Sequence, residues 1–167
     1  MHKLLPQYEK INGKGLMKQI YAKSEALKGK KILIINSTRV GGGVAEILEG
    51  ATRFLDELGI EAEWQVLPGT LDFFAVTKKI HNALQGSRNK LTEQEKELHQ
   101  KINEGFAATL STKYDLVMIH DPQPLPLIRY CNKKQPWIFR CHIDLSSPNT
   151  SVWAYIRQDI NKYDHFI

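Results

Sequence analysis

Two short clusters of hydrogen-bonding side chains stand out in this 167-residue sequence: His120-Asp121-Pro122-Gln123 and, further on, Arg140-Cys141-His142-Ile143-Asp144. Imidazole, carboxylate, carboxamide and guanidinium groups donate and accept in several directions at once, as a polyhydroxylated ligand requires. Neither HD nor HxD has the HxxxH spacing of a helical zinc site, so no metal is expected. Each histidine taken singly also fits a satisfied structural role. A third feature is Asn36-Ser37-Thr38-Arg39-Val40-Gly41-Gly42-Gly43-Val44. Three residues without Cβ let backbone N–H groups approach an anion, and a helix opening near Val44 adds the positive end of its dipole. A phosphate or a sugar on that turn is one reading, and a tight turn with no ligand is the other. The run is neither GxGxxG nor GxxxxGK[ST], which argues against dinucleotide and ATPase sites.

The elements that must position these residues follow from the apolar pattern. Lys31–Asn36 (KILIIN) is a continuous apolar run suited to a strand buried on both faces. Val44, Ile47, Leu48, Ala51, Leu55 and Leu58 then recur at helical spacing, and Gly59 stands where the helix stops. Ala62–Leu67 predicts a second strand and Leu71–Leu84 a helix. Thr92 with Glu95 forms a capping-box signature for a helix to about Leu110, with Leu98, Ile102 and Phe106 on one face. Asp115–His120 predicts a third strand, followed after Pro122-Gln123-Pro124 by a helix through Leu127 and Tyr130. Gln135–Cys141 is a fourth strand, Ser147–Ile160 a helix and Lys162–Ile167 a last strand. Ahead of all these, Ile11, Leu16, Ile20 and Leu27 suggest a helical arm over residues 1–30 that packs on the domain of residues 31–167. Strands alternating with helices imply an α/β, doubly wound, Rossmann-like parallel sheet. In such a sheet ligands bind beyond the carboxyl ends of the strands, where the polar clusters fall.

Composition narrows the function classes. The formal net charge of +5 is spread among acids, as in KLTEQEKELHQK from Lys90 to Lys101, which reads as a solvated helix face and not as a nucleic-acid surface. No stretch approaches the roughly 18 apolar residues of a membrane span. Two cysteines, Cys131 and Cys141, outside any CxxC pair favour a reducing, cytoplasmic setting. A nicotinamide-dependent oxidoreductase needs an acid at the end of the second strand, and Leu67-Pro68-Gly69-Thr70 supplies none. Trp153 fits a core position better than a sugar-stacking one.

Taken together and in order, NSTRVGGGVAEIL, HDPQPLPL and RCHIDLSSPN resemble the N-terminal half of the trehalose glycosyltransferring synthases. These belong with trehalose phosphorylases and sucrose synthases among retaining glycosyltransferases of the GT-B fold. The likeness runs from the Tyr8 region to Ile167. It implies reversible glucose transfer between a nucleoside-diphosphate glucose and glucose, in a cleft between two Rossmann-like domains. It places Gly41, Gly42, Gly43 and Val44 beside the donor diphosphate and His142 against the transferring glucose. Arg140, Asp144, His120, Asp121 and Gln123 would shape the sugar sites. The resemblance calls for no cofactor or metal, since the nucleotide sugar is a substrate. It also implies a second, nucleotide-binding domain with a Lys/Arg pair and two glutamates separated by seven residues. These 167 residues contain no such half, so the chain is expected to be inactive alone, with the C-terminal domain and small sugars as its partners. Phosphorolysis of trehalose shares the motifs, a non-catalytic sugar or phosphate sensor is the alternative of a different class, and self-association is left open.

Overall fold

The computed structural model describes residues 3–111 and 113–167. A five-stranded, all-parallel sheet has the order β2-β1-β3-β4-β5, made of β1 (Lys31–Asn36), β2 (Glu61–Val66), β3 (Leu116–His120), β4 (Trp137–Arg140) and β5 (His165–Phe166). From β1 the chain winds out to β2 and then returns to the opposite side of β1 to form β3. The winding reverses between β1 and β3, and at such a switch point the loops at the carboxyl ends part into a crevice.

Alternation along β1 explains why it lies at the centre. Leu33 and Ile35 enter a core cluster shared with α3 (Leu71–Leu84) and α5 (Thr150–Ile160), while Ile32 and Ile34 enter a second cluster under α2 (Gly43–Glu57). Helix α4 (Glu93–Ala107) packs beside α3 on the first face. The capping box is formed there: the Glu95 amide donates to Thr92 Oγ1 at 3.2 Å, and the Thr92 amide donates to Glu95 Oε2 at 2.7 Å. Lys79 bonds the same glutamate at 2.8 Å, tying α3 to α4.

Several expected elements are shorter or differ in kind. The segment after Pro124 is a 3-10 turn, Leu125–Arg129, and not an α-helix. Its bonds are of the i→i−3 kind, from the Leu127 amide to the Pro124 carbonyl at 3.1 Å and from the Tyr130 amide to the Leu127 carbonyl at 3.0 Å. Strand β4 covers only Trp137–Arg140, inside the expected 135–141, and Pro136, with no amide to donate, stands just before it. Helix α5 starts at Thr150, because Asn149 Oδ1 caps the Ser151 and Val152 amides. The arm forms one helix, α1 (Leu4–Ser24), kinked at Gly13, where φ is 81°. Its packing differs from the reading of the sequence. Ile11 and Leu16 are exposed, at 80% and 45%, and the contacts onto α2 come from Leu5, Tyr8 and Ile20. Trp153 packs against the core. Among the described residues no helix is long and apolar enough to cross a membrane.

Candidate functional site at the carboxyl edge of the sheet

His120 is the last residue of β3 and pairs in register with Arg140, the last residue of β4. The chain turns sharply after it, because Asp121 adopts a left-handed backbone with φ of 65°. In that geometry the Asp121 amide donates to the Arg140 carbonyl at 2.9 Å, and its carboxylate accepts the His142 amide at 2.8 Å. The two strand ends are thereby stitched together. His142 Nε2 lies 2.9 Å from His120 Nδ1, with the rings nearly parallel and their centres 5.2 Å apart. One of these nitrogens carries the shared proton. His120 is 1% exposed and its Nε2 has no hydrogen-bond partner among the described residues. Burial, with charge from His142 and Arg140, pushes the His120 imidazole down to about 3. Burial also raises the Asp121 carboxyl, against the opposing pull of the His142 amide and of the His142 and His81 charges.

Beneath this turn lies a support that the sequence did not advertise. His99 of α4, wholly buried, sets Nε2 at 3.0 Å from the carbonyls of both Pro122 and Gln123, and Nδ1 at 3.0 Å from the Tyr155 hydroxyl. Two carbonyl acceptors require the proton on Nε2, so Nδ1 accepts from Tyr155. One turn along α4, Asn103 donates to the Gln123 carbonyl at 2.9 Å and to the His99 carbonyl at 2.8 Å. Burial drives the His99 imidazole down to about 4, outweighing those carbonyls. The KELHQK stretch around His99 had read as a solvated face. The available signal was position, since His99 and Asn103 each follow directly an apolar residue of the Leu98, Ile102, Phe106 stripe.

Two neutral buried imidazoles make stability depend on pH. In both, the folded-state value lies below the ordinary 6.5, so the unfolded chain binds more protons between them. Stability is therefore full above about pH 6.5 and is lost as pH falls from there towards about 4, by up to about 1.4 kcal/mol per pH unit for each imidazole. Urea midpoints measured across that range check this. A flat profile would mean that both rings are reached by protons in the folded protein.

On the neighbouring strand, β1 runs into the glycine turn. Gly41 and Gly42 have φ of 78° and 97°, and a Cβ built on any of Gly41, Gly42 or Gly43 would meet no atom within 4 Å. Backbone direction, not crowding, calls for the first two glycines, and the space above the turn is open. Gly42 caps α2 without a side-chain bond, so the first-turn amides have no side-chain acceptor. The approach to the turn is fixed by Asn36, which bonds the Thr38 carbonyl at 2.7 Å and the Trp64 indole at 2.8 Å, while Arg39 lies over that indole at 4.3 Å.

The structure thus brings His120, Asp121 and His142 into direct contact and joins Arg140 to them through its backbone; the Arg140 side chain is exposed. Gln123 sits on the same loop, its buried Oε1 without a hydrogen-bond partner among the described residues. Asp144 is not drawn in: it is exposed and its carboxylate accepts from Ser146, which holds it below the usual carboxylate range. Val44 is half-buried against the α2 core. No hydrogen bond among the described residues links the glycine turn to the histidine pair; the order and register of β1, β3 and β4 place them on one edge. Among the described residues no group of His, Cys, Asp and Glu is arranged to hold a metal.

The all-parallel sheet, with an open glycine turn and an imidazole–carboxylate cluster at the carboxyl ends of its central strands, defines a Rossmann-like α/β domain. The chain belongs to the family described as trehalose synthase, N-terminal domain, whose model matches residues 34–167. It is 49% identical over 167 residues to trehalose synthase of Thermococcus litoralis, covering 99% of this chain and 40% of that protein. Identity to trehalose synthase of Rubrobacter xylanophilus is 37% over 169 residues, covering 98% of this chain and 41% of that one. A trehalose phosphorylase of Grifola frondosa is 30% identical over 187 residues, covering 98% and 26%. The chain therefore spans about two fifths of the length of the trehalose synthases it matches.

Proposed function

We propose that these residues form the acceptor-side domain of a retaining glycosyltransferase that reversibly makes trehalose from a nucleoside-diphosphate glucose and glucose. The observation that carries the reading is the open Gly41–Gly43 turn on the same sheet edge as the His120–His142 pair, in a chain whose family is described as trehalose synthase, N-terminal domain. Backbone amides at the start of α2 would meet the charge that grows on the departing diphosphate, as preorganised donors do most effectively. His142, held by the Asp121 carboxylate at its amide and by His120 at its ring, would stand against the glucosyl carbon as it becomes cationic. Arg140, Asp121, Gln123 and His120 would order the sugar hydroxyls, with Asp144 at the rim. No metal or cofactor enters this scheme, and the two free cysteines suit a cytoplasmic setting.

Transfer requires both reactants in one geometry, and the proposed partner is a second, nucleotide-binding half. Protein consisting of these 167 residues is expected to give no turnover. The product of the complete gene is expected to form trehalose when given glucose and a nucleoside-diphosphate glucose. Kinship with trehalose phosphorylases supports a second reading, in which inorganic phosphate takes the place of the nucleotide. Glucose 1-phosphate released from trehalose and phosphate, with no nucleotide-dependent product, would select it. Absence of both activities would leave a binding module.

A further inference from the structure

We propose that the groove along α3 seats the acceptor, a neutral hexose; this rests on the transfer reading above and names the acceptor's place within it. Phe74, Thr77, Lys78, His81 and Asn82 follow one another at i, i+3, i+4, i+7 and i+8, so they share a face of α3, and Gln123 faces them from the loop after β3. Together they line a space of about 370 Å³. The groove adjoins the site already described, because Gln123, which lines it, follows Asp121 by two positions.

Three features mark it as built for a sugar. First, Phe74 is 38% exposed yet held in place, its edge lying over Gly69, where a Cβ would come within 2.9 Å of the ring; Phe73 meets it at 71°. An aromatic ring braced by its neighbours and partly open to solvent is a platform on which the apolar face of a pyranose stacks. Second, Gln123 lines the groove from the side opposite α3, and its carboxamide can both donate and accept, as a hydroxyl-bearing ligand requires. Third, the remaining polar side chains at the surface, Lys78, His81 and Asn82, offer hydrogen-bonding groups in several directions, as a set of hydroxyls requires. That the occupant is a neutral hexose follows from the transfer reading, in which the acceptor is glucose, and comparison with glucose 6-phosphate tests it.

The test uses the product of the complete gene, following the backbone amide resonances of these residues during titration with glucose, glucose 6-phosphate, and a uridine or adenosine diphosphate glucose. Glucose is expected to shift residues 74–82 and 123 and to leave 41–45 unmoved, while the nucleotide sugar shifts 41–45. Phe74→Ala and Asn82→Ala are each expected to weaken glucose binding about tenfold or more, roughly 1.4 kcal/mol. Both should keep the nucleotide-sugar response, which also reports that the variants are folded. Glucose shifts confined to the glycine turn and His142, glucose affinity unchanged in both variants, or binding of glucose 6-phosphate in preference to glucose would each overturn the groove proposal and leave the transfer reading intact. No response to any of these ligands would remove both.

Discussion

Leucine at position 129 is expected to destabilise the protein by about 3–5 kcal/mol, the usual effect of stranding one member of a buried ion pair. Asp159, on the inner face of α5, is 1% exposed, and its carboxylate accepts from Arg129 Nε at the end of the 3-10 turn. Among the described residues the only other cation against it is Lys162, at 3.6 Å and half exposed, too far for a hydrogen bond of good geometry. Arg129→Leu leaves a buried carboxylate without its main donor, whereas Arg129→Leu combined with Asp159→Leu removes the charge as well. The double variant is therefore expected to recover most of the loss. Urea midpoints of the three proteins check this, and an unchanged midpoint for the single variant would show that Lys162 suffices.

Removing the His142 ring is expected to lower kcat of the complete enzyme by about 10²–10³, the range for loss of one preorganised stabilising group. His142→Ala keeps the amide that bonds Asp121, so the turn after β3 should survive. It strips the partner from His120 Nδ1. If the ring acts on the transition state, kcat falls while the KM for glucose changes little. A fall in affinity with kcat preserved would make His142 a binding residue only, and kcat within about twofold of wild type would sink the assignment.

How far such residues can be read from sequence depends on how local their signal is. KILIIN, the helix after the glycines and the Thr92–Glu95 cap are local patterns, and β1, α2 and the start of α4 form where they predict. The same holds for the family, which three ordered motifs carry. The stretch after Pro124 is legible as a short helical turn but not as 3-10 in kind, because prolines at the start of a turn are compatible with either form. The arm misled for a different reason: Met17 is 1% exposed and Ile11 is 80% exposed, and which side of α1 is covered was decided by α2. His99 could not be found by chemistry, since its partners are backbone carbonyls of a loop distant in sequence. Nothing local sets His81 and Phe74 apart from the rest of α3, because their common face gains meaning only when Gln123 comes opposite.

Empty space above Gly42 has a last consequence. Nothing there measures the bulk of a substituent, yet φ of 97° and ψ of 148° set the direction in which one would project. The turn is therefore selective for chirality at the α-carbon and indifferent to volume. A mirror-image alanine would sit at position 42 in a backbone region natural to its own hand, where the ordinary enantiomer would be strained.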